Sequence, residues 1–114
     1  MTKFEEKVEE YYKIMTGDLN QKGVDKALLT KVTEGVGANI FKADASKVST
    51  TDPEEVARVR NSFLIEKLGC ADSPKLDAAI EKVTNIFGSS NKSKHRAIFY
   101  YLLVIEFNKE SVYK

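Results

Sequence analysis

Residues Lys94–Phe107 read KHRAIFYYLLVIEF, and from Ala97 to Ile105 the run is apolar without a break. A helix built from it has no polar stripe to turn toward water, so its neighbours must cover it on every side. As a strand it would need a partner for its backbone, and no other stretch of the chain reads as a strand. The segment is therefore expected to be a central helix, started by Ser90 or Ser93 and favoured by Lys109 at its C-terminal end. Tyr100 and Tyr101 are adjacent and point about 100° apart on a helix. Ala97, Tyr101 and Val104 share a flank, which makes Tyr101 the core member and Tyr100 the outward one.

Working outward, the upstream chain divides into amphipathic pieces with one face each to bury. Thr2-Lys3-Phe4-Glu5 has the form of a capping box, followed by Phe4, Val8, Tyr11, Tyr12 and Met15 at helical spacing and a stop at Gly17. Asp25 reads as an N-cap preceded by Val24, which would pack on Leu29. Leu28, Leu29, Val32 and Val36 form the buried face, and Gly35 and Gly37 end the helix. Ala38–Phe41 predicts a helical turn that drops Ile40 and Phe41 into the core. The polar KADASKVSTTD after it reads as a loop with a turn near Ala45–Val48.

The clearest helix start is Asp52-Pro53-Glu54-Glu55: an N-cap, a proline at the first position, and two carboxylates at the positive end of the dipole. Val56, Val59, Phe63, Leu64 and Leu68 make its stripe, and Glu54 stands four residues before Arg58. Ser73-Pro74 repeats the pattern, with Leu76, Ala79, Ile80, Val83, Ile86 and Phe87 on one face and Gly88 as the stop. ALLTKVTEGVG at 27–37 and AAIEKVTNIFG at 78–88 share a pattern. A duplicated unit would produce it, and so would any two amphipathic helices ending in glycine. The fold expected is an all-α compact bundle of five to six short helices, one domain over residues 1–114, with the apolar C-terminal helix at its centre.

The totals bound the function. A net charge of +1 gives no global field and weighs against a nucleic-acid binder. The apolar run is far shorter than the ~20 residues a bilayer needs, and the N-terminus has no apolar signal region. A cytoplasmic protein with no membrane partner is the expectation. One cysteine, Cys70, excludes an internal disulfide and lacks a CxxC partner. In DLNQKG the calcium-loop pattern starts with Asp18, Asn20 and Gly23, then fails at Lys22 and Leu29. GVGAN lacks the Lys and Ser/Thr of a phosphate loop. With a single histidine, His95, and no cysteine nearby, neither a metal site nor a catalytic set is expected, and no cofactor.

FLIEKLG at Phe63–Gly69, LDAAIEKV at Leu76–Val83, KHRAIFYYLLVIEF at Lys94–Phe107 and ADASKVS at Ala43–Ser49 together resemble a family of small bacterial proteins catalogued only as a domain of unknown function. The likeness covers nearly the whole chain. It implies a bacterial cytosolic protein and carries over no activity, cofactor or catalytic residue.

Two function classes remain. The first is a non-enzymatic module for protein interaction or self-association, with a homodimer formed through an apolar helical face of Phe99, Tyr100 and Leu103 as one form of it. The alternative is a binder of an anionic ligand, nucleic acid or a phosphorylated metabolite, at Lys92, Ser93, Lys94, His95 and Arg96. Free N–H groups and cations together would suit a phosphate there. A solvated basic turn paired with the acidic helices is the competing account of the same residues.

Overall fold

Five α-helices make up the fold in a computed structural model that describes residues 2–113. Helix α1 (Lys3–Thr16) opens on the capping box read from the sequence: the Glu5 N–H donates to the Thr2 hydroxyl at 3.1 Å and the Thr2 N–H to the Glu5 carboxylate at 3.0 Å. Helix α2 (Lys26–Val36) starts at Asp25, whose carboxylate accepts from the Leu28 N–H, and stops at Gly37 with φ +73°. Only glycine adopts that angle without a Cβ penalty. A 3-10 turn, Gly37–Phe41, follows.

The Asp52-Pro53 start is real, and helix α3 (Pro53–Arg58) runs without interruption into a π-helical stretch, Val59–Lys67. Helix α4 (Pro74–Phe87) ends at Gly88, with φ +95°. Helix α5 (Arg96–Glu106) is the apolar segment, and a last 3-10 turn spans Glu110–Tyr113.

Helix α5 packs against α1, α2 and α4, and seven of its residues are buried: Ala97, Ile98, Phe99, Tyr101, Leu102, Leu103 and Val104. They join Tyr11, Met15, Leu29, Val32, Val59, Leu64, Leu76 and Val83 in one hydrophobic cluster. Ile105, at the end of the run, stays 40% exposed. Covering the rest of the run removes it from water at about 25 cal/mol per Å² of apolar surface, the main stabilising contribution available to a chain this size.

Three expectations need correction. Ile40 is buried as foreseen, but Phe41 is 51% exposed, because a 3-10 turn places successive residues about 120° apart and only one of the pair faces inward. Neither Ser90 nor Ser93 caps α5. His95 holds that position without a side-chain hydrogen bond. The Phe99 and Leu103 side chains lie wholly inside the core, so neither offers a surface, whereas Tyr100 remains partly exposed.

The linker between the 3-10 turn and α3 is more ordered than its composition suggests. After a turn at 42–46, Lys47 forms an isolated antiparallel bridge with His95. The Val48 N–H donates to Lys94 O at 2.8 Å and the Arg96 N–H to Ser46 O at 2.7 Å. The start of α5 is thus satisfied by a distant piece of backbone instead of a capping side chain.

Candidate functional site

The five residues of the basic cluster do not converge on one point. Lys94 is 4% exposed. Its ammonium turns back into its own loop, donating to the carbonyls of Ser89, at 3.3 Å, and Asn91. Burial pushes its pKa below the ordinary lysine value. His95 lies half-buried, its ring 5.2 Å from that of Tyr11 and tilted by 44°. Burial lowers its pKa, Glu10 pulls it back up, and Lys47 and Lys7 add to the lowering. The buried Tyr11 hydroxyl has no hydrogen-bond partner among the described residues, and burial raises its pKa to about 12. Lys92 and Ser93 are exposed at the tip of the turn.

Arg96 points the other way, into the protein. Its Nε donates to Ala45 O at 2.8 Å, Nη1 to the Tyr100 hydroxyl at 2.9 Å, and Nη2 to Lys47 O at 3.2 Å and to the Glu55 carboxylate. Glu55 is 6% exposed, one turn into α3, and its second oxygen accepts from Arg58 Nη2 at 2.7 Å and Nε at 3.1 Å. Two guanidinium groups therefore share one carboxylate. The sequence paired Arg58 with Glu54. The pair formed is with Glu55, three residues away instead of four.

Beside this cluster runs an open groove. One wall is the end of α2, with Val32, Gly35 and Val36, and the other is the π-helical stretch, with Ser62, Phe63 and Lys67. Tyr100 forms the floor, its ring stacked 3.8 Å from that of Phe63 at an interplanar angle of 11°. The groove consists of two adjoining hollows of about 250 and 350 Å³ that share Gly35, Val36, Ser62 and Tyr100. Asn39, Glu55, Arg58 and Arg96 close the first end. Tyr113 and Lys67 close the second, with the Lys67 ammonium 5.3 Å from the Tyr113 ring centre. Burial raises the Tyr113 pKa to about 12, with Tyr100 adding to the rise.

The π-helical wall gives the groove its shape. The wider i→i+5 repeat places residues at i, i+4 and i+5 on one side, and Val59, Phe63 and Leu64 all turn inward. Such turns recur at functional sites. Of the groove residues, the sequence reading had named Arg96 and Tyr100 as functional candidates. Arg58, Ser62, Lys67 and Tyr113 are spread over three elements, and no local motif joins them.

The class of molecule is by now defined: a small all-α domain organised around one buried helix. Residues 10–111 match the family described as a protein of unknown function (DUF2853), and the chain belongs to that family. Comparison with curated proteins gives no match. Among the described residues no helix is long and apolar enough to cross a membrane, and no three His, Cys, Asp or Glu side chains cluster to hold a metal ion.

Proposed function

We propose that the protein is a non-enzymatic interaction module whose groove over Tyr100 receives an acidic segment of a partner protein. The observation that carries this reading is the pairing of cationic ends with an apolar, aromatic floor. Arg58 precedes the π-helical stretch and Lys67 ends it. At the first end, two guanidinium groups against the single Glu55 carboxylate leave a net positive charge. At the second, Lys67 has no carboxylate within salt-bridge distance among the described residues. Between them the partly exposed Val36 and Tyr100, the latter backed by the buried Phe63 ring, offer a surface for one apolar side chain. Acidic residues flanking an aromatic or aliphatic one complement that arrangement, and rim charges of this kind steer encounter and set specificity.

The alternative of an anionic ligand at Lys92–Arg96 has less support. Lys94 and Arg96 spend their donors on backbone carbonyls, Tyr100 and Glu55, which leaves Lys92 and Ser93 at the surface.

Selection from a displayed library of random peptides tests the proposal. The expected peptides are acidic with one aromatic or aliphatic residue, and their binding weakens with added salt. The double substitution Arg58→Gln, Lys67→Gln lowers affinity by roughly tenfold. Enrichment of neutral or basic peptides, or affinity untouched by that substitution, would overturn the reading.

A further inference from the structure

Helix α1 carries an outward stripe that the groove does not use. Lys3, Glu6, Lys7 and Glu10 line a hollow of about 390 Å³ on one flank, bordered by Phe41. Glu6, Glu9, Glu10, Lys13 and Ile14 line a second hollow on the other. Phe41 is the most exposed large apolar side chain among the described residues, at 51%. An exposed phenylalanine set beside a row of alternating charge offers one apolar contact together with charges that a complementary row can meet.

The order of the charges says what fits. When α1 is laid antiparallel on a copy of itself about a two-fold axis between Glu6 and Lys7, Lys3 faces Glu10 of the other copy and Glu6 faces its Lys7. The symmetry repeats both contacts, so every charge on the stripe from Lys3 to Glu10 meets its opposite. Sliding the copies by three residues one way sets Glu6 against Glu10 and Lys3 against Lys13, and the other way sets Lys3 against Lys7. Parallel packing in register would set every charge against itself. One register is therefore favoured and its neighbours are penalised. The same axis passes beside the hollow that Phe41 borders, bringing the two rings toward each other. The internal Lys7–Glu10 pair, 3.3 Å long and exposed, must open, and such pairs contribute little.

We infer that this face is a two-fold interface between copies of the chain, formed by antiparallel α1 helices with Phe41 near the axis. The groove over Tyr100 lies on other elements, so the failure of either proposal leaves the other standing. The contact is small, and association is expected to depend on concentration and to weaken with salt.

Sedimentation equilibrium on the full chain tests it. The protein is expected to dimerise in the micromolar range. The pairs Lys3→Glu, Lys7→Glu and Glu6→Lys, Glu10→Lys should each weaken the dimer by about tenfold or more, because each sets like charges face to face. All four substitutions together exchange the signs on both helices and should restore it. Phe41→Ser should also weaken the dimer with the helical circular dichroism unchanged. A strict monomer at high micromolar concentration overturns the inference. So does a dimer indifferent to the charge reversals, or a fourfold exchange that folds and stays monomeric.

Discussion

Tyr100 and Tyr101 are neighbours in sequence with opposite surroundings. The Tyr101 ring is buried, and its hydroxyl accepts from the Asp25 N–H at 2.8 Å, tying the start of α2 to the middle of α5. Tyr100 faces the groove and accepts from Arg96. This division was legible, because helical geometry separates the two rings and a buried phenol needs a partner. The partner's identity was not, since Asp25 lies 76 residues away. His95 supports a prediction at the same scale. Burial lowers its folded pKa below the ordinary 6.5, so the fold favours the neutral ring. Its contribution to stability is present above pH 6.5 and is lost as the pH falls through the lower folded value. The melting temperature should therefore drop between pH 7 and 5, and the drop should be smaller for His95→Gln. Equal slopes for the two proteins would mean that the ring is not the titrating group.

At the scale of elements, the helix starts at Thr2, Asp25 and Asp52 were readable because each is a local contract between a side chain and the next turn. The start of α5 was not, because the Arg96 N–H is met by the linker carbonyl of Ser46. The π-helical stretch was also hidden. The stripe Val59, Phe63, Leu64, Leu68 has spacings that a helix of either pitch can bury, so periodicity could not separate them. The Leu68 N–H to Phe63 O bond, 2.9 Å across five residues, shows which pitch the chain takes. Glu55 fastens these parts together, joining α3 to α5 across 41 residues. Glu55→Ala should cost about 3–5 kcal/mol in urea unfolding, because it leaves the largely buried Arg96 uncompensated. Arg58→Ala removes an exposed partner of the same carboxylate and should cost no more than about 1 kcal/mol. Equal costs would show that the Glu55–Arg96 pair does not hold the elements together.

For the whole molecule, one property of the sequence had the widest reach. A helix apolar on all sides must be enclosed, and from that the all-α arrangement around α5 follows. The same property misdirected the reading of surface, since it suggested that Phe99 and Leu103 would face outward. Enclosure by α1, α2 and α4 is more complete than the length of the chain suggested. The surfaces left for function are instead assembled from pieces remote in sequence: the end of α2, the π-helical wall, Tyr100 and the final turn. The central claim is that this groove, and neither the basic turn nor α1, receives the acidic segment of a partner protein. Amide chemical shifts of the ¹⁵N-labelled protein, titrated with the tightest peptide from the displayed library, test it most directly. The account predicts shift changes concentrated at residues 32–36, 58–67 and 96–100 and in the final turn. Changes centred on residues 89–95, or on α1 and Phe41, would contradict it.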